Sequence, residues 1–165
     1  MIIYAFLFII IFEISKLKTS HHYLKISTSE APKFYDITAH IESIISKANF
    51  ESGIAVVFSK HTTAGILIQE HEPLLLEDLT NLLQDISPKD KEYNHNNFAI
   101  RTVHMHEDEC PNGHSHCQHI LIGTSETIPV IDNSLSLGKW QRIFLVELDE
   151  EFPSEREIIV QLIGT

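Results

Sequence analysis

Residues 111 to 119, PNGHSHCQH, place three histidines and a cysteine within nine positions, behind a Pro-Asn-Gly turn. Just upstream lies HMHEDEC, residues 104 to 110. Together the sixteen residues from His104 to His119 hold five of the eleven histidines and both cysteines. Neutral imidazoles and thiolates are the ligands that Zn²⁺ prefers, so a metal cage, a catalytic cluster and a histidine-rich turn all come into question. On a strand His114 and His116 would share a face. On a helix they diverge by about 200°, and His116 lines up with His119 instead. Asn112 is a good helix N-cap and Gly123 a good stop, which predicts a short helix over 113–122. Only one or two of these histidines then share a metal, and other ligands must come from elsewhere. A zinc finger fits poorly, because such sites use paired short spacings and Cys110 and Cys117 lie seven apart. His104, His106 and His119 are expected to be surface or packing residues.

Three other stretches carry chemistry. KHTT, residues 60 to 63, sits between two apolar runs at an expected sheet rim. Its imidazole and two hydroxyls suit a phosphate or hydroxyl ligand, although the same residues also make a good turn. YNHNN, residues 93 to 97, flanks His95 with asparagines that orient it or bind a ligand. LGKWQRIFLVELD, residues 137 to 149, bends at Gly138 and holds the lone tryptophan, Trp140, expected in the core. Glu147 lies within its apolar run, where a carboxylate is costly unless a cation, a metal or an arginine is nearby. No phosphate-binding glycine loop, nucleophile elbow or paired zinc-protease histidine motif occurs.

Several elements must position these residues. YLKISTS alternates as a strand from Tyr23, and the chain is strand-like again at Phe34. From about Thr38, Ile41, Ile44, Ile45 and Ala48 form a helical stripe. GIAVVFS and 65–69 read as strands on either side of the His61–Thr63 turn. Pro73 opens the clearest helix, with Leu75, Leu79, Leu82, Leu83 and Ile86 as its predicted buried stripe and Pro88 as its stop. Residues 89–100 read as a polar loop. Strands follow at 127–131, 134–137, 141–148 and 157–163, with Asp132-Asn133 as a hairpin turn. The expected class is α+β: a β-rich, two-layer, sandwich-like fold with largely antiparallel sheets and about three helices.

The 165 residues suit one domain. A net charge of -11 argues against a nucleic-acid partner and favours a cation as ligand. Two cysteines do not make a disulfide framework, so a reduced, cytoplasmic setting is expected. The opening MIIYAFLFIIIF is apolar but shorter than the ~20 residues a membrane span needs, and it has no signal-peptide cleavage site. Lys16 and Lys18 follow it. A membrane-associated anchor through residues 1–14, a tail and a start codon called too early are all consistent with it. Membrane contact is expected only if this run is real.

Taken in order, HTTAGILIQE, YNHNN, NGHSHCQHILIGTSETIPVIDNSLSLGKWQRIFLVELD and REIIVQ resemble the YjbQ-like family, an otherwise uncharacterised protein family known as secondary thiamine-phosphate synthase. The resemblance spans about residues 22 to 163. It divides the chain into an apolar N-terminal extension, 1–21, and a YjbQ-like domain, 22–165. It implies a homotrimer and a site drawn from His61, Thr62, Thr63, His95, His114, His116, Ser125, Asp132, Trp140, Gln141 and Glu147. His61, Thr62, Thr63, Ser125, Asp132, Gln141 and Glu147 are the implied catalytic residues. His61, His95, His114 and His116 are the implied ligands of a divalent metal ion, Zn²⁺ or Mg²⁺. HMHEDEC, Cys117 and His119 depart from the family pattern.

The implied activity joins a pyrimidine diphosphate to a thiazole phosphate with release of pyrophosphate. The departing diphosphate must be neutralised, for which Lys60, Lys139 and Arg142 are the basic candidates, aided by a metal. A trimeric protein that binds a metal or small ligand without turnover is the alternative.

Overall fold

The computed structural model describes residues 17–150 and 155–165. The apolar run at the start of the chain lies outside the described residues. Eight strands form two antiparallel sheets. The first has the order β1(Lys18–Ser27)-β8(Glu155–Gly164)-β3(Ser52–Ser59)-β5(Ser125–Ile131)-β6(Ser134–Leu135). The second has the order β2(Lys33–Asp36)-β7(Gln141–Glu147)-β4(Ala64–Glu70). The three α-helices are α1(Thr38–Ala48), α2(Pro73–Ile86) and α3(Gly113–Ile122), and a 3₁₀ turn spans Asn94–Asn96. The α+β class and the antiparallel sheets follow the sequence reading. β1 starts earlier than expected. It pairs with β8 from Lys18 opposite Gly164, so residues 18–21, assigned above to the extension, belong to the sheet.

β7 explains the layering. Its residues from Ile143 to Glu147 are all buried, so it reads as a continuous apolar run rather than an alternation. Ile143 and Leu145 face the five-stranded sheet, where they join Ala55, Val57, Ile128, Val130, Ile158, Val160 and Leu162 and the α1 stripe Ile41 and Ile45. Phe144 and Val146 face the other way, onto Leu83 of α2, with Leu76 and Ile122 alongside. The three-stranded sheet is thus covered on both faces. The outer face of the five-stranded sheet leaves Tyr23, Ile54 and Phe58 exposed among the described residues.

α2 has the predicted bounds but a different buried edge. Leu82 and Ile86 are each about half exposed, and the helix rests on Leu76 and Leu83. The contact line runs through Leu76, Thr80, Leu83 and Ser87, at i, i+4, i+7 and i+11, and it stays narrow because α2 meets only the small sheet and α3 along this edge. Trp140, expected in the core, is 62% exposed with the Lys139 ammonium 4.4 Å from its ring centroid. The bend at Gly138, whose N–H donates to Gln141 Oε1, turns the indole outward before β7 begins.

Candidate functional site

The site grows from the end of β7. Glu147 is fully buried, and its partner is an arginine. Arg156 Nε and Nη2 donate to its two oxygens at 2.6 and 2.7 Å. The Thr28 hydroxyl adds a bond of 2.6 Å, and the N–H groups of Leu148 and Asp149 donate to Oε1. This fork-on-fork pairing with a filled acceptor shell is the arrangement in which a buried ion pair is tolerated. It fastens β7 to β8 and to the end of β1.

Next to this pair lies the β3–β4 turn with His61, Thr62 and Thr63. His61 Nε2 accepts from the Glu157 N–H at 2.9 Å, and Nδ1 stands 3.4 Å from Arg156 Nη1. Burial, aided by the adjacent guanidinium and opposed by Glu147 and Glu157, lowers the His61 pKa and favours the neutral ring. Arg156 Nη2 also reaches the Thr63 hydroxyl at 3.5 Å.

α3 forms the next wall, and the YNHNN stretch seats it. Asn112 occupies the N-cap position, but its side chain makes no cap; its amide donates to Asp149 Oδ2 at 2.8 Å. The side-chain partner of the first helical N–H is Asn96, whose Oδ1 accepts from Gly113 at 2.9 Å. Any Cβ at Gly113 would stand 2.6 Å from the Tyr93 Cβ, so only glycine lets the 3₁₀ turn press this closely on the helix start. That contact brings His95 against His116, ring centroids 4.6 Å apart and edge to face. His95 Nε2 is buried without a protein partner. Burial and the neighbouring His95 lower the His116 pKa against the opposing pull of Asp149 and a hydrogen bond to the Thr62 backbone.

Residues 98–112 close the remaining side. Arg101 Nη1 donates to Glu109 Oε1 at 2.9 Å and reaches the His95 carbonyl at 3.5 Å, while Nη2 donates to the His104 carbonyl. The result is an open cleft of about 660 Å³ lined by Thr62, Thr63, His95, Arg101, His116 and Arg156, with Asp149, Asn112 and Glu109 on its walls. His104 and His106, read as surface or packing residues, line it too.

Of the residues named from sequence, Thr62, Thr63, His95 and His116 line the cleft, and His61 and Glu147 join them through Arg156. His114 does not join them. It faces away from the cleft, at 6.5 Å from the Tyr93 ring, and lines a separate small cavity with Gln118 and Leu148. Ser125 starts β5 on the exposed surface. Asp132 sits in the left-handed β5–β6 turn, beside a depression shared with Glu42 and Ser46. Gln141 opens β7 at the end opposite Glu147.

The basic candidates are engaged elsewhere: Lys60 with Glu157, Lys139 over Trp140, and Arg142 with Asp36. The cations that line the cleft are Arg101 and Arg156, neither of which composition singled out. Arg156 was traceable, since a carboxylate in an apolar strand demands a cation. Arg101 had no such signal. Among the described residues no three of His, Cys, Asp and Glu are grouped to hold a metal ion. No helix of the described residues is long and apolar enough to cross a membrane.

Fold and cleft together define a small α+β protein with a polar, imidazole- and arginine-lined site at one end of a two-sheet core. Residues 22–165 match the family model described as UPF0047 protein YjbQ-like, and the chain belongs to that family. It is 38% identical over 141 residues to a UPF0047 protein of Methanothermobacter thermautotrophicus, covering 86% of this chain and 90% of that one. It is 36% identical to one from Methanocaldococcus jannaschii, covering 85% and 91%. Among solved structures, a YbjQ-like protein of unknown function from Sulfolobus solfataricus superposes with a TM-score of 0.80 at 32% identity, over 91% of this chain and all of that one. A hypothetical protein from Aeropyrum pernix gives 0.77 at 30% identity, over 88% and 99%.

Proposed function

We propose that the cleft binds a phosphorylated small molecule and carries out a diphosphate-displacing transfer of the thiamine-phosphate-synthase type. The carbon–oxygen bond to the pyrimidine diphosphate breaks, the thiazole phosphate nitrogen bonds to the resulting carbocation, and pyrophosphate leaves. The observation that supports this reading is the convergence of Arg156, Arg101, His95 and His116 with the Thr62–Thr63 turn on one open cleft. Departing pyrophosphate needs fixed donors and cations aimed at it, and these are the groups on offer.

The described residues offer no closed metal cage. They do offer two neighbouring imidazoles, one with a buried nitrogen lacking a protein partner. This donor set fits part of an open Zn²⁺-type shell, with His95 and His116 as the protein ligands. His61, held by Glu157, and His114, on the far side of α3, stand outside the pair. When bound, a divalent ion would add charge neutralisation at the leaving group. The Thr62 bond to His116 orients that ring.

Assembly as a homotrimer is part of the same proposal, supported by the uncovered Tyr23, Ile54 and Phe58 on the outer sheet face. Light scattering should give a mass near three chains, and a clean monomer at low micromolar concentration would refute it.

The activity test is formation of thiamine phosphate from the two phosphorylated precursors, with chelated and with Zn²⁺- or Mg²⁺-reloaded protein. It is joined to growth rescue of a strain lacking its thiamine-phosphate synthase. Turnover lost in His116→Ala supports the reading. Metal or ligand binding with no turnover and no rescue rejects it in favour of a binding protein.

A further inference from the structure

The proton on His61 is fixed by its neighbours. The Glu157 N–H donates to Nε2 at 2.9 Å, so the neutral ring must carry its hydrogen on Nδ1. Nδ1 stands 3.4 Å from Arg156 Nη1, which is itself only a donor. With Nδ1 protonated two donors face one another, and the 3.4 Å contact, which would be a hydrogen bond in the other tautomer, is none in this one. No atom fits between two nitrogens this close, so the geometry calls for an acceptor beside them that both can reach.

The rest of the guanidinium is already committed. Nε and Nη2 hold Glu147, and Nη2 also reaches the Thr63 oxygen. Because Thr63 accepts there, its own hydroxyl proton is free to turn towards the cleft. The two acids on the cleft walls each have a donor, Asp149 from Asn112 and Glu109 from Arg101. Arg156 and Thr63 line the cleft and His61 stands against Arg156, so Arg156 Nη1, His61 Nδ1–H and the Thr63 hydroxyl make one group of donors, while the unpaired Asn112 Oδ1 and His95 Nε2 lie on the α3 side.

We infer that these three groups form an oxyanion subsite that takes a phosphate group, separate from the His95–His116 pair. This rests on the reading of the cleft given above and deepens it, because it orients the ligand: phosphate on the His61–Arg156 floor, its organic part towards α3. The Glu147–Arg156 pair is neutral as a unit, so the subsite works by directed hydrogen bonds more than by net charge. It therefore selects a tetrahedral anion by shape and tolerates the acidic protein around it.

The test uses inorganic phosphate and metal-free full-length protein. Long-range ¹H–¹⁵N spectra read the tautomer of each histidine, and titration calorimetry reads affinity. His61 should be the Nδ1–H tautomer, and phosphate should shift its ring signals before those of His95 or His116. Thr63→Val should weaken phosphate binding about tenfold, the loss of roughly one good hydrogen bond, and His116→Ala should leave it within about twofold, well under that same bond. If His61→Ala fails to fold, the wild-type tautomer and shifts still decide. An Nε2–H tautomer, no phosphate binding, or binding lost in His116→Ala and kept in Thr63→Val each overturns the inference. Turnover without phosphate at His61 sinks this inference alone. Phosphate at His61 without turnover sinks only the proposed reaction.

Discussion

Two groups of polar side chains lie within one cleft region and behave in opposite ways. Around Glu147 each carboxylate oxygen has donors, from Thr28, Arg156 and two backbone N–H groups. Around His95 and His116 a buried ring nitrogen of His95 has no protein partner, and the two imidazoles meet edge to face. The first group binds three strand ends together. In the second, Asn96 and Arg101 hold the surrounding backbone and the Thr62 backbone orients His116, while His95 Nε2 stays uncommitted. Full pairing marks a polar group that supports the fold, and incomplete pairing of a buried one calls for an explanation, which the ligand proposed above supplies.

Breaking the paired group should have the largest effect on stability. Glu147→Gln leaves the Arg156 guanidinium buried with half its partner gone, and a loss of about 3–5 kcal/mol is expected. Urea denaturation measures it, and a loss under about 1 kcal/mol would put the pair outside the class of buried, uncompensated charges.

Asp36 offers a second paired group, at the other end of β7. Burial alone would raise its pKa, but bonds from Arg142, Thr38 and His71 outweigh burial and lower it to about 2. A depressed carboxylate gives stability that is present above its unfolded pKa and lost as pH falls through its folded one. Up to about 2 kcal/mol should therefore disappear between about pH 4 and pH 2. Asp36→Asn should flatten that part of the profile; an unchanged acid limb would count against the pairing.

Arg101→Met probes the join between the two groups. Its bond to Glu109 is partly exposed, so about 1 kcal/mol or less is expected in stability. Freed of its bonds to the His95 and His104 carbonyls, the 98–112 segment should hold ligand several-fold more weakly. Equal affinity in a binding isotherm would show that the segment takes no part.

The smallest stability effect is expected from His95→Ala, within about 0.5 kcal/mol, because no protein hydrogen bond to the ring's Nε2 is lost. His95→Ala should nevertheless abolish metal retention by the cleft, measured by elemental analysis after dialysis. Retained metal would place it elsewhere.

Much of the scaffold was legible because local signals decide it. Pro73 and Pro88 bracket α2, and Asn112 and Gly123 bracket α3, so both helices lie where the residues put them. The demand that Glu147 makes of its surroundings was legible as well, although its partner was not. Packing direction was harder to read. Leu82 and Ile86 have the spacing of a buried stripe, but α2 lies on a sheet too small to cover it. The cations of the cleft were illegible for a different reason. Arg101 and Arg156 are brought there by a loop staple and by strand pairing across the sheet, neither of which leaves a pattern in the neighbouring residues.

The position of β8 also governs the order in which the protein can be completed on the ribosome. β1 pairs with β8, and β8 also supplies one neighbour of β3. β1 is thus made early and finds its partner only after the other strands have been synthesised, a wait of roughly ten seconds at ordinary elongation rates. Through that interval β1 and one edge of β3 present unpaired backbone. The Thr28–Glu147 bond, 119 residues apart in sequence, must likewise wait until β7 has been made. Such non-local closure makes folding slow relative to a helical chain of equal length. A nascent chain stalled before Arg156 would hold Glu147 without its guanidinium partner.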